Sequence, residues 1–287
     1  MNNYEDGVVM PLYEDRMCRH GKMLFNSNDE FVGRSLSLYG EWSEPEAFLF
    51  MQMVRQGDTV VEAGANIGSH TVMLSKTVGD NGTVFAFEPQ RHTFQLLNAN
   101  LALNERLNVR AFQYAVGDVD ETVEFPIVDP RLPNNFGGSS LLMSHAVAEQ
   151  VPLRTIDSLR LPRLDFLKAD VEGFEIQTIR GAQDSIRTLR PIVYLEYLNH
   201  YTGDSSKSFL EYFAPLGYRV WYFITPVYNR LNFRGNPENV FDGIWSFDLV
   251  CVPRERGEMH GLVEVTPDNE GVCRDPDAWR RVRFVPA

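Results

Sequence analysis

Cysteine is scarce. Cys18, Cys251 and Cys273 are the only three in 287 residues, an odd number, far apart and without a C-x-x-C pair. That excludes a disulfide framework and a zinc ribbon, and leaves a reducing cytoplasm as the expected setting. Long apolar runs are missing as well, since no window approaches the ~18 apolar residues of a spanning helix. Residues 1–15 mix acids with apolar residues and have no basic start, so no secretion signal is expected. Positive charge is in deficit, with 27 Lys+Arg against 39 Asp+Glu and a formal net charge of −12. Binding to a phosphate backbone or an anionic membrane draws on Lys and Arg, so neither nucleic acid nor a membrane is an expected partner. Repeats and low-complexity tracts are absent. What is present, 44% apolar and 23% charged residues, is the composition of a globular chain. At this length it would bury roughly three quarters of its unfolded surface, as one large domain or two small ones.

From residue 58 to 198 short apolar runs alternate with amphipathic ones. Strands are expected at 59–62, 83–87, 108–116, 164–169 and 192–195. Helices are expected at 69–78 and 91–103, where Phe94, Leu97 and Leu101 keep helical spacing, and again through Ile179, Ala182, Ile186 and Leu189. Continuous apolar strands between such helices imply a parallel sheet covered on both faces. The alternation breaks over 117–160, an insertion with short strands near 123–128 and a loop at 133–140. A helix at 208–213 and two closing strands, 219–224 and 246–252, follow. Residues 1–50 read as a β-rich lead-in with a helix from Glu46, 51–254 as the main domain, and 255–287 as a polar tail with little pattern.

In such a sheet, ligands bind beyond the carboxyl ends of the strands. After the first strand stands Glu62-Ala-Gly64-Ala65-Asn66-Ile-Gly68, a turn that lets backbone approach a ligand and opens a helix. After the second stands Glu88, about 20 residues beyond that turn and suited to ribose hydroxyls. NAD, the rival ligand, calls for a glycine where Asn66 stands. An acid at Glu62 is poorly placed against a pyrophosphate and well placed for an ammonium group. The electrostatics therefore favour S-adenosylmethionine (SAM). Beyond the fourth and fifth strands stand Asp170, Glu172 and Glu196, candidates to orient or deprotonate a hydroxyl, or to hold a hard cation such as Mg²⁺ through Asp170 and Glu196. His200, four residues past Glu196, is the outside candidate for a general base. Glu172 would alternatively cap the helix beginning near Gly173, Glu175 reads as a solvated helix acid, and Lys168 as a neutraliser of neighbouring acids. Asn135, Gly137, Gly138 and Ser139 lie in the insertion, in a loop suited to close over a polar acceptor.

VVEAGANIGSHT, FAFEP, NLALN, NNFGGSS, LRTIDSL and LKADVEGFE with its trailing RGA, preceded by YGEWSEPE and GDTVVE, resemble the FkbM-type SAM-dependent methyltransferases over roughly residues 36–200. The resemblance implies a Rossmann-like class I methyltransferase: a seven-stranded, mostly parallel sheet with helices on both faces. It implies SAM as methyl donor and a hydroxyl, commonly on a sugar or natural-product intermediate, as acceptor. It assigns Gly64, Ala65, Asn66 and Gly68 to the methionine part of SAM, Glu88 to the ribose, and Ala115 and Val116 to the neighbourhood of adenine. Glu62 stands where the family more often has Asp. Tyr39 and Glu41, in the lead-in, are assigned a place near SAM, as is Asp170. The expectation is a cytoplasmic O-methyltransferase acting on a small molecule, with a homodimer allowed. An NAD-dependent oxidoreductase and a noncatalytic binding protein on the same fold are the rivals.

Overall fold

A computed structural model describes residues 11–143, 146–197, 206–269 and 275–287. The lead-in is a hairpin, β1 (Tyr13–Cys18) with β2 (Gly21–Asn26), followed by α1 (Val32–Tyr39) and α2 (Glu44–Met53). The alternation then runs β3 (Thr59–Ala63), α3 (Ser69–Val78), β4 (Thr83–Phe87), α4 (Arg91–Leu103) and β5 (Val109–Phe112). The insertion supplies β6 (Ala115–Val116), β7 (Glu121–Pro126) and β8 (Ala148–Arg154). Next come β9 (Phe166–Ala169), α5 (Glu175–Arg180), α6 (Gln183–Leu189), β10 (Ile192–Glu196), α7 (Ser206–Phe213), β11 (Tyr218–Pro226) and β12 (Trp245–Pro253). The last segments are β13 (Gly257–His260), β14 (Val263–Glu264) and β15 (Arg283–Pro286).

The main sheet has the order β14-β11-β12-β10-β9-β3-β4-β5. The five strands from β5 to β10 are parallel, and β12, β11 and β14 add antiparallel pairs at the other edge. This is a mostly parallel α/β, Rossmann-like sheet. Strand order reverses at β3: the chain moves outward to β4 and β5, then returns to the other side of β3 as β9. A ligand crevice is expected at that switch, beyond the ends of β3 and β9.

Successive strand residues serve opposite layers. Val60, Phe166, Tyr194 and Trp221 pack with α2 and α3, whereas Val61, Leu167, Val193 and Val220 pack with α5, α6 and α7. Both faces are buried, which is why these strands read as unbroken apolar runs; each such side chain contributes about 1.5–3 kcal/mol by leaving water. Among the described residues, no helix is long and apolar enough to cross a membrane.

Four expectations are corrected. The run 108–116 is two strands: β5 closes the main sheet, while Ala115 and Val116 pair with Leu153 and Arg154 of β8 in a separate three-stranded sheet. The helix through 179–189 breaks into α5 and α6 at Gly181, where an added Cβ would lie 1.8 Å from the carbonyl oxygen of Gly117. The two-residue β14 pairs with Trp221 and Tyr222, making eight strands where seven were expected. The segment after 254 is no patternless tail, because Trp279 and Val282 are buried against α2 and the sheet and β13 pairs with β15. In the lead-in, helix α1 was not foreseen.

Candidate active site

Beyond β3 the chain turns through Gly64 (φ 80°), Asn66 (φ 51°) and Gly68 (φ 86°) before α3 begins. A Cβ on Gly64 would fall 1.7 Å from the carbonyl oxygen of Asp170. Only glycine therefore allows the ends of β3 and β9 to meet this closely, and that contact sets the floor of the crevice. The N–H groups of Gly64 and Ala65 donate to Phe87 O, at 3.0 and 2.9 Å, pinning the turn to the end of β4.

Glu88 follows β4. Its Oε2 accepts from Asn66 N and its Oε1 from Gln90 N, both at 2.9 Å. Burial lifts its pKa to about 7 against the pull of those two N–H groups. Each oxygen retains a free lone pair for a further donor. Glu62 is 1% exposed, accepts from Thr71 Oγ1 at 2.7 Å, and is likewise raised by burial to about 7.

Lys168, fully buried on β9, donates to Asp170 Oδ2 at 2.8 Å. Burial alone would lower its pKa, but Asp170, Glu62 and Glu46 outweigh it and hold the ammonium charged. It does neutralise neighbouring acids. Glu172 adopts φ 54° and its carbonyl accepts from Ser140 Oγ at 2.6 Å, tying the insertion loop to the acid-bearing turn. Burial, then the charges of Asp170 and Glu175, raise the Glu172 carboxyl to about 8. Glu196, at the end of β10, is pushed well up by burial and by Asp170 and Glu172. Carboxylate oxygens of Asp170, Glu172 and Glu196 come within 4.8 Å of one another.

Two overlapping hollows form one cleft. The polar one, of about 960 Å³ up to its open mouth, is lined by Glu62, Gly64, Ala65, Asn66, Asn135, Lys168 and Glu196, and by Trp42, Glu46, His70, Trp245 and Ser246. The smaller one, about 510 Å³, is walled by Tyr114, Ala115, Val116, Phe125, Phe136, Leu141 and Phe174. Gly64, Glu88, Gly137, Asp170 and Glu172 line both.

Most of the expected residues are thus brought together, with particular exceptions. Tyr39 and Glu41 do not line the cleft. The Tyr39 hydroxyl donates to Glu238 O and accepts from Val240 N, and Glu41 is paired with Arg19 and accepts from Asn229 and the Phe233 N–H. Both residues of the lead-in reading are spent on holding the segment after β11 against α1. Gly68 caps α3 instead of lining the hollow, and Gly138 N closes a turn onto Asn135 Oδ1. Ser139 lines the smaller hollow and accepts from Gln90 Nε2 at 2.9 Å. Glu172 does not cap a helix; α5 starts at Glu175, and Glu175 is the residue that accepts from the N–H groups of Val171 and Gly173. Glu175 is 2% exposed, so it is a buried brace of the Asp170–Glu172 turn, not a solvated acid. His200 lies outside the described residues.

Sequence reading missed Glu46, His70, Trp42 and the Trp245–Ser246 edge, and the aromatic wall of Phe125, Phe136 and Phe174. Glu46 carried one usable signal: it falls in YGEWSEPE, and Ser43 Oγ donates to its Oε1 at 2.5 Å across that motif.

The chain is similar to known methyltransferases. The model of the methyltransferase FkbM domain matches residues 62–220. Methyltransferase 1 of Beauveria bassiana is 28% identical over 176 residues, 53% of this chain and 70% of that protein. The hexuronic acid methyltransferase AglP of Haloferax volcanii is 24% identical over 147 residues, 50% of this chain and 58% of that one. A crystal structure of an FkbM methyltransferase from Methylobacillus flagellatus aligns with a TM-score of 0.46 at 16% identity, over 72% of this chain and 50% of that one. With the family's domain matched across more than half its length, this chain belongs to the FkbM methyltransferase family.

Proposed function

We propose that the protein transfers a methyl group from SAM to a hydroxyl oxygen of a small polar acceptor, of the sugar or polyol class. The position of Glu88 carries this reading. It lies where the polar and aromatic hollows join, with a lone pair free on each oxygen. A ribose held there leaves an adenine to Ala115, Val116 and the aromatic wall, and the methionine end to Gly64, Ala65 and Asn66. Glu62, next to that end, would take the ammonium group. A nicotinamide dinucleotide has no such use for a buried acid before the glycine turn.

SAM supplies a methyl carbon already activated by its sulfonium. What remains for the chain is to align the acceptor oxygen and to receive its proton. Asp170 and Glu196 would hold and deprotonate the hydroxyl, with Glu172 beside them. Burial pushes the Glu172 and Glu196 carboxyls up, and a positive sulfonium nearby would favour their ionised forms, fitting them to accept a proton. Asn135 and Gly137 would meet the acceptor from the insertion loop, and Ser139, tied to Gln90, would close the aromatic side. The Haloferax relative is named as a hexuronic acid methyltransferase, which supports the sugar class of acceptor and leaves the methylated oxygen open.

Mg²⁺ on Asp170 and Glu196 is a second means of holding the hydroxyl, favoured by the grouping of the three carboxylates. The Lys168 ammonium, already 2.8 Å from Asp170 Oδ2, stands against it. Turnover that survives exhaustive chelation removes the metal. The main reading is tested by mass spectrometry of material that co-purifies, where bound SAM or S-adenosylhomocysteine is expected. Thermal stabilisation by NAD with none by SAM would reverse it. The acid excess and the cleft together favour a small-molecule partner over nucleic acid, in a cytoplasmic setting.

A further inference from the structure

The polar hollow is lined by six carboxyl groups, Glu46, Glu62, Glu88, Asp170, Glu172 and Glu196. Among the described residues lining it, Lys168 is the one ammonium or guanidinium group, and it is spent on Asp170. The imidazole of His70, 5% exposed and beside Lys168, is kept neutral by burial and by that charge. Among the described residues lining the hollow, an anionic acceptor would therefore find no free ammonium or guanidinium group to pair it.

Two atoms lining the hollow also lack a hydrogen-bond partner among the described residues, Glu196 Oε2 and His70 Nε2, and both are buried. The nearest approach of His70 to Glu46 is 3.9 Å, from Nδ1. Bound SAM would bring positive charge, but its sulfonium has no N–H or O–H to donate. Its ammonium, on the proposed reading, is used at Glu62. On that reading the acceptor is the bound molecule left to supply a donor to Glu196 Oε2.

An ammonium group has three donors and makes charge-assisted bonds of about 2.8 Å, so two of its bonds span about 4.6 Å. The carboxylate oxygens of Asp170, Glu172 and Glu196 lie within 4.8 Å of one another, close to that span. Trp42 and Trp245 line the same hollow, and an indole ring attracts a cation. A monovalent ammonium also meets half the repulsion from Lys168 that a divalent metal would.

We infer that the methyl acceptor is a hydroxylated amine, an amino sugar or amino polyol, with its ammonium held by Glu172 and the unpartnered Oε2 of Glu196, and a neighbouring hydroxyl presented to Asp170 for methylation. This inference rests on the methyltransferase reading. The ion-paired ammonium has no lone pair, so the new bond forms from the hydroxyl oxygen to the methyl carbon. The carbon–sulfur bond breaks with its electrons left on sulfur as a thioether, and the hydroxyl proton passes to a carboxylate. The product is an O-methyl, not an N-methyl, compound.

Calorimetric titration of the full chain saturated with S-adenosylhomocysteine tests the idea. The probes are glucosamine, galactosamine and 2-deoxystreptamine, each beside its N-acetylated form, with glucuronate as the anion. At least one amine is expected to bind about tenfold more tightly than its N-acetylated form, as loss of a charge-assisted bond pair predicts. Glucuronate is expected not to bind. The Glu196→Gln variant should lose most of the preference while keeping its affinity for S-adenosylhomocysteine. The inference is overturned if no amine binds better than its acetylated form, if glucuronate binds as well, or if Mg²⁺ alone occupies the Glu196 site. Failure of S-adenosylhomocysteine itself to bind overturns the reading beneath it instead.

Discussion

Lys168 is buried beside Glu62, Glu46 and Asp170, and removing one partner of such a group leaves charges stranded. Lys168→Met should cost about 3–5 kcal/mol, read as a lower urea midpoint at unchanged slope. Asp170 differs because it is half-exposed to the cleft. Asp170→Asn keeps the shape and removes the charge, so turnover should fall at least about a hundredfold while SAM affinity stays within a few-fold; unchanged turnover would remove Asp170 from the chemistry. Glu88→Gln should instead weaken SAM binding about tenfold or more with little change in the bound enzyme's rate, measured by equilibrium binding and saturation kinetics. These acids were legible because each stands within two residues of a strand end, and a strand's carboxyl end in a parallel sheet is a known place. Glu175 was not. Its spacing from Asp170 suits an outward helix position, but the turn at φ 54° on Glu172 folds the carboxylate back onto Val171 and Gly173.

At the scale of elements, the residues after 254 show why weak pattern is not absence of structure. They carry no period, yet Trp279 packs edge-on to Phe48 at 5.3 Å, and Phe284 N donates to Gln52 Oε1. Their role is to cover α2, which is apolar on several sides and carries Glu46 into the cleft. Trp279→Ala should cost about 3–5 kcal/mol and shift the thermal midpoint down by several degrees, without touching any residue that lines the hollow. A midpoint within one degree of the parent would show that this segment is not part of the core. The break between β5 and β6 has a different cause. An apolar run states that a strand is buried but not which neighbour it pairs with, and β8 claims Ala115 and Val116 through Leu153 and Arg154, 38 residues further on.

For the molecule as a whole, the acid excess is partly internal. Glu46, Glu62 and Glu88 have folded pKa values near 7, raised first by burial from the ordinary 4.5. A raised value means that the folded state binds the proton more tightly than the unfolded one. That contribution to stability is complete below pH 4.5 and is lost as pH rises through 7. The empty protein should therefore grow less stable between pH 5 and 7.5. A cationic ligand should restore more at the upper end, so the thermal shift caused by SAM should grow across that range. A shift that is flat or shrinks with rising pH would contradict the placement of cations among these acids.

By itself, the sequence determined the parallel sheet, its order of strands and helices, the glycine turn and the acids just past the strands. Each is local, set by period, by φ and by distance from a strand end within a few residues. Only the tertiary structure decided what faces those acids. Glu46 and Trp42 come from before the first parallel strand, Phe125 and Phe136 from the insertion, and Trp245 from the far edge, and packing around the β3–β9 switch is what brings them to one cleft. Packing likewise decided that six carboxyl groups share that cleft with a single lysine, because the surplus depends on which side chains converge and not on how many acids the chain contains.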